Sequence, residues 1–310
     1  MATVTNVATT AARTGWLGQL RTRSRRLKLP WISVSIVATL CVFAAFAQWL
    51  APHDPLEINM IDSKMAPAVT ASVQELLGKE APLYDWNHPL GTDVLGRDML
   101  SRLIYGARTS VLISLVALGT GMVAGTVLGL MAGYRGGWVD ALIMRAADAA
   151  LGFPTILVAM IIFVVAGQGI WSIVLAVMLT VWARFARMIR GDVLGIKELD
   201  FITLARIAGV SAPVIIARHV FPNIVNTLMV ITSLQIGQVI LLEASLSFLG
   251  LGLPPGHPAW GIMVSEGKAV ITDVWWLSLL PGISITVVVL AFNFFGDWLR
   301  DTLDPKLRRI

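Results

Sequence analysis

The sequence predicts an all-α polytopic membrane protein with six transmembrane helices. Three observations carry that prediction. The 310 residues include only 24 Lys/Arg and 19 Asp/Glu, 14% of the chain, against about 25% in ordinary soluble proteins. Residues of the AVILMFWYC set make up 56% and the mean hydropathy is +0.76. The apolar residues gather into six stretches, most of them near the ~20 residues that a helix needs to cross a bilayer. A soluble fold of this length would lack the charge to cover its surface. The apolar content equally excludes a disordered chain.

The six stretches are residues 32–50, 111–133, 149–166, 170–183, 224–242 and 277–295. The fourth is short and is expected to run on past Arg184, whose long side chain can reach the interface. The basic residues orient the array. An N-terminal arm, 1–31, holds Arg13, Arg21, Arg23, Arg25, Arg26 and Lys28. Arg135 and Arg145 lie between the second and third stretches. Arg184, Arg187, Arg190, Lys197, Arg206 and Arg218 lie between the fourth and fifth. Arg300, Lys306, Arg308 and Arg309 lie in the tail, 297–310. These 18 of 24 basic residues fall on one side of a six-span arrangement. The other side has Lys268, Arg108, and four basic residues against eight acids in the long loop 51–107. Because Lys and Arg near span ends mark the cytoplasmic face, both termini are expected in the cytoplasm and loop 51–107 outside. The chain thus divides into the arm, a first span (32–50), the external loop, a five-span core (108–296) with a cytoplasmic loop at 184–223, and the tail. The net charge of +5 is this orienting bias and not a nucleic-acid footprint. Ala45-Phe46-Ala47 after an apolar run also fits a signal-peptide cleavage site. The 19-residue run is longer than a usual signal core and favours a retained span.

The spans hold little reactive chemistry. Cys41 is the single cysteine, so no intrachain disulfide is possible. His53, His88, His219 and His257 are scattered, with no metal-ligand spacing, so no metal site is expected. Gly121, Gly125, Gly129 and Gly133 recur every fourth residue, which puts them on one helix face and allows a neighbouring backbone to approach. Pro154 should kink the third span or mark its irregular start. Arg145 and Asp148, three apart, can pair on one helix face. Glu243 ends the fifth stretch and admits two readings. An ionisable group at membrane depth marks a functional position, here a candidate for the translocation path. Alternatively it lies at the external interface or caps a helix. The glycines and prolines of 250–258 exclude a regular helix there. Trp260, Trp275 and Trp276 around them read as interfacial anchors.

The loop 184–223 is too long for a turn. Within it 200–211 reads as a short amphipathic helix, with Phe201, Leu204, Ala205 and Ala208 on one apolar face. Asp200 fits an N-cap and Gly209 a C-terminal stop. Ser211-Ala212-Pro213 breaks the pattern before a second helix at 214–220. A small-residue apolar helix beside basic neighbours suggests a docking surface, with a helix lying on lipid as the plainer alternative.

This loop resembles the EAA loop of permease subunits in bacterial ATP-binding-cassette importers. The three motif positions read Thr203-Leu204-Ala205, the motif glycine is Gly209, and the later part reads Arg218 to Asn223. The first two positions depart from glutamate-alanine. Further stretches resemble the dipeptide/oligopeptide permeases, in particular their C-type subunit: His88-Pro89-Leu90-Gly91-Thr92-Asp93 with Gly96-Arg97-Asp98, Glu243 to Gly252, Pro258-Ala259-Trp260-Gly261, and Asn293 to Asp301 with Leu303-Asp304-Pro305. The resemblance covers about 32–307. It implies a type I importer permease fold in the bacterial inner membrane, which passes dipeptides or oligopeptides, or alternatively nickel, glutathione or haem. It implies as partners a second homologous permease, two ATPase subunits and an external peptide-binding protein, besides membrane lipid. Thr203, Leu204, Ala205, Arg206, Gly209 and Arg218 are the implied ATPase-coupling residues. No Walker A pattern occurs, so this chain is expected to bind no cofactor and to catalyse nothing, with ATP and magnesium on the partner subunits. A membrane-embedded enzyme would need a nucleophile–base set or metal ligands within the spans. A stand-alone transporter would show matching helix breaks in two halves. Neither pattern is evident.

Overall fold

A computed structural model describes residues 30–76 and 83–303. The basic residues of the arm, Lys79, and Lys306, Arg308 and Arg309 of the tail lie outside the described residues. The helices in chain order are α1 (Trp31–Leu50), α2 (Ala68–Leu76), α3 (Met99–Arg135), α4 (Gly137–Gly152), α5 (Thr155–Ala166), α6 (Ile170–Ile196), α7 (Asp200–Ile207), α8 (Ala212–Ile215), α9 (Phe221–Phe248), α10 (Trp260–Lys268) and α11 (Trp276–Leu303). Among the described residues there is no strand, only an isolated bridge between Thr92 and Asp98.

Among the described residues, five helical segments are long and apolar enough to cross a membrane: α1, α3, α6, the run Ala212–Phe248, and α11. The α4–α5 pair passes the same test together and makes a sixth if it counts as one span. The stretch 149–166 is not one helix. Its first residues belong to α4, and α4 and α5 meet at 92°. Phe153 is extended (ψ 138°) and Pro154 stands at the N-cap of α5. A proline disfavours the helical region for the residue before it, so α4 must end there. Pro154 therefore marks an irregular start, and α5 is a 12-residue helix. That is about 18 Å at 1.5 Å per residue, short of a ~30 Å hydrocarbon core. α6 does continue past Arg184, to Ile196.

α3 and α6 form the central pair of the bundle. The four-residue glycine spacing on α3 is the reason. A Cβ at Gly121, Gly129 or Gly133 would stand 2.7 Å from Val181, the Ala186 carbonyl or Val193 of α6, and Gly125 packs on Trp182 and Phe185. The protein neighbour implied by this stripe is thus within the chain. Around this pair Ile113, Ala117, Ile173, Val177, Phe185 and Leu246 build the main core. A second core joins α1, the 51–98 segment, α3, α10 and α11 through Leu40, Ala66, Met99, Trp260, Met263 and Trp276.

Two tryptophans expected as interfacial anchors belong to this core instead. Trp260 is 4% exposed, its indole lies against Gly106, and its Nε1 donates to the Leu103 carbonyl at 3.0 Å. Trp276 is 5% exposed and donates to the Thr92 carbonyl at 3.0 Å. Their indole N–H groups find backbone acceptors, one in the first turns of α3 and one in the 51–98 segment, that composition alone leaves unplaced. Trp275 is the exposed member. The Gly/Pro segment 250–258 is irregular, and α10 begins only at Trp260.

Candidate functional site

At the end of the bundle formed by the α6–α9 connection, α7 is a short helix with a single deep anchor. Ile202 is fully buried, among Leu130, Ile189, Val193, Ile215 and Ile224. Ala205 packs at the edge of this cluster. Phe201, Leu204 and Ile207 are exposed, Leu204 by 65% and Ile207 by 79%. The apolar face expected from spacing is therefore mostly the outward one; only Ala205 turns partly inward. The buried contact is made by a residue that the spacing did not select. Asp200 is the first helical residue, and Leu199, extended, occupies the N-cap. Gly209 has φ +78° just beyond the C-cap, the left-handed conformation that lets a helix stop abruptly. The next segment differs from the expected helix at 214–220. Ser211 is extended, α8 starts at Ala212, and Ile216–Val220 is a π turn. A wider turn relieves the clash that Pro222 would otherwise make with the preceding turn. Asn223 Nδ2 donates to the His219 carbonyl at 2.6 Å.

The basic residues of this end do structural work that charge counting did not assign. Arg187 pairs with Asp148 at 2.6 Å, so the Asp148 partner is on α6 and not the expected Arg145. Helix α4 folds back along α6, which brings Asp148 across to it. Arg190 grips Asp140 with Nε–Oδ1 2.5 Å and Nη2–Oδ2 2.7 Å. Arg184 donates to Gln238 at 2.8 Å and Gln235 at 3.3 Å on α9. Lys197 Nζ donates to the Gly133 carbonyl at 3.2 Å, tying the ends of α6 and α3. Of the six coupling residues taken from the sequence, Arg206 lies over the Tyr134 ring at 5.3 Å. Thr203, Leu204, Gly209 and Arg218 are exposed. They share one end of the molecule with Ala205 and Arg206.

Glu243 lies on α9 toward the opposite end and is fully buried. Its Oε1 accepts from Ser247 Oγ at 2.8 Å, while Oε2 has no hydrogen-bond partner. Ser110 Oγ of α3 approaches the same carboxyl without an aligned bond. Glu243 is thus enclosed by protein, with its carboxylate on Ser247 and not on backbone N–H groups. Ser247 also lines a cavity of about 170 Å³ with Gln168, Ser265 and Glu266.

That opposite end carries a buried ionic network. Asp93 Oδ2 accepts from Arg97 Nε at 2.5 Å and Arg102 Nη1 at 2.6 Å, and both arginines reach Glu266 Oε2, at 3.2 and 2.8 Å. Asp93 Oδ1 takes the Leu95 and Arg97 backbone N–H groups. Arg97 also donates to the Gly256 carbonyl. Asp93 is fully buried and Arg102 is 1% exposed. The network is neutral, and it clamps the start of α3 to α10 and to the Gly/Pro loop. Asp93 and Arg97 belong to a recognisable sequence stretch; Glu266, 169 residues from Arg97, had no local signal.

Beside it Asp98 caps α3, accepting the Ser101 N–H at 2.7 Å. His88 Nδ1 lies 2.9 Å from Asp98 Oδ1, and the rings of His53 and His88 are 4.7 Å apart. Two histidines that looked scattered in the sequence are thus neighbours.

The comparisons with known proteins agree with this architecture. Residues 125–309 match the family model described as "Binding-protein-dependent transport system inner membrane component". The chain is 37% identical over 311 aligned positions to the glutathione transport system permease protein GsiD of Pectobacterium atrosepticum, covering 99% of this chain and 97% of that protein. It is 38% identical over 296 to GsiD of Escherichia coli O157:H7, covering 96% and 92%. Among solved structures, an inward-facing MetNI methionine ABC transporter chain superposes with a TM-score of 0.53 at 16% identity, covering 66% of this chain and 98% of that one. The last likeness shows the fold, that of a type I importer permease. The chain therefore belongs to the binding-protein-dependent transport system inner membrane components, as a multi-pass ATP-binding-cassette importer permease of the dipeptide/oligopeptide-type clade.

Proposed function

We propose that this chain is one of two permease subunits of an importer for short peptides of the glutathione class, and that α7 is its coupling helix. The observation that carries the coupling role is the geometry of α7. One residue, Ile202, is sunk into the bundle, while Phe201, Leu204 and Ile207 stand free. A helix so anchored moves with its bundle and offers an apolar face to a groove in an ATPase. Arg206 and Arg218 flank that face and attract acids on the partner. When two ATPases close on ATP, α7 is displaced, and the core around Ile202 passes the motion to α3, α6 and α9. The permease pair then alternates between outward and inward access. The binding protein delivers cargo at the end bearing the 51–98 segment, which faces outward, with both termini in the cytoplasm. The chain itself is non-catalytic, and ATP and magnesium sit on the ATPases. Thr203, Leu204, Ala205, Arg206, Gly209 and Arg218 form the joint, and Glu243 is the candidate for the path.

The glutathione class is favoured over other peptides, nickel or haem by near full-length similarity to permeases named for glutathione transport. Reconstituting both permeases, both ATPases and the binding protein in vesicles tests the reading. ATP-dependent uptake of labelled glutathione, competed by short peptides and not by nickel or haem, is the expected result. Uptake of nickel or haem alone would overturn the substrate assignment. Stable assembly without ATPase subunits would overturn the importer role.

A further inference from the structure

We infer that His53, His88 and Asp98 form a binding site for a borderline divalent cation such as Zn²⁺. The ion would staple the end of α1 to the start of α3. One donor atom from each residue lies within 4.8 Å of the other two. Asp98 Oδ1 is 2.9 Å from His88 Nδ1, and Asp98 Oδ2 is 3.9 Å from His53 Nδ1. Adjacent donors around a tetrahedral ion with bonds of about 2.0–2.2 Å stand roughly 3.3 Å apart, between these two separations.

The donors are held before any ion arrives. The Ser101 N–H orients the Asp98 carboxylate at 2.7 Å, and Ser101 Oγ accepts the His53 backbone N–H at 3.0 Å. Asp62 lies 4.0 Å from His88 Nε2, placed to orient that ring from outside the coordination shell. His53 Nδ1 is buried at the atom level and has no hydrogen-bond partner among the described residues. An unpaired ring nitrogen beside a second imidazole and a carboxylate is what a cation would satisfy. A cavity of about 250 Å³ opens on the three residues and is lined further by Asp54, Asp62 and Asp85, leaving room for water on an open position. Two imidazoles and one carboxylate favour Zn²⁺ and its neighbours over Ca²⁺ or Mg²⁺, which take mainly oxygen. The ion is a resident staple, independent of which cargo the importer carries.

The test uses the assembled transporter in nanodiscs, purified without a histidine tag. Zn²⁺ is titrated against a chromophoric chelator, and zinc X-ray absorption is recorded. Wild type should show one saturable site per chain, with two imidazole nitrogens at about 2.0 Å. His53→Gln should weaken it about tenfold or more, while its thermal midpoint in chelator stays close to that of wild type, since among the described residues His53 Nδ1 has no hydrogen-bond partner to lose. His88→Gln should weaken it likewise. Zinc affinity unchanged in both variants, no saturable zinc, or saturable binding of Ca²⁺ or Mg²⁺ in preference to zinc would each overturn the assignment.

Discussion

Arg102 is 1% exposed, yet it is a guanidinium, and its burial is tolerable only because Asp93 and Glu266 meet it. Breaking one member of a buried ionic set leaves its partner charged and desolvated, at a cost of about 3–5 kcal/mol. Arg102→Met should therefore lower the thermal unfolding midpoint in nanodiscs by several degrees, with α10 loosened first. A midpoint equal to that of wild type would show that the network adds nothing to stability. Glycines on α3 offer a paired contrast. A Cβ at Gly129 would meet the Ala186 carbonyl at 2.7 Å, whereas at Gly119 nothing lies within 4 Å. Gly129→Leu is expected to destabilise by about 3 kcal/mol through overpacking. Gly119→Ala should be neutral or stabilising by up to about 1 kcal/mol, because only helix propensity changes. Comparing chemical denaturation of the two variants checks both.

α7 shows how a helix of eight residues is positioned by one contact and terminated by another. Ile202→Ala removes the buried anchor. A loss of about 2–4 kcal/mol, concentrated on this helix, is expected, and faster hydrogen exchange over residues 200–207 than in wild type would report it. Gly209 works differently. Its φ of +78° is strained for any other residue by about 1–2 kcal/mol, but no atom lies within 4 Å of the Cβ position. Gly209→Val should thus keep the complex assembled while disturbing the angle of α7. ATP hydrolysis should continue and uptake should fall severalfold. Undiminished uptake by this variant would remove Gly209 from the joint.

Across the whole molecule, the two ends carry different chemistry. One has the neutral buried network and, within the 51–98 segment, the histidine pair. The other has α7 and the arginines of α6. If the first end faces outward, Asp54→Cys in a Cys41→Ala background should react with a membrane-impermeant maleimide added to intact cells. Glu198→Cys should react only after permeabilisation. The reverse pattern would invert the topology.

The apolar segments were legible in the sequence because a long apolar run has no alternative to a helix in a bilayer. The glycine stripe and the proline at residue 154 were equally local signals. Sequence determined membrane residence, the number of apolar segments, and the small helix that Gly209 ends. Pairings distant in sequence were left to the tertiary structure: Arg102 with Glu266, Asp148 with Arg187 in place of Arg145, Trp260 turned inward, Ile202 as the anchor of α7, and His53 beside His88. Spacing along one helix specifies which residues share a face, but not which face meets a neighbour. A charged or polar group settles where desolvation is compensated, and that partner exists only once distant segments of the chain have packed.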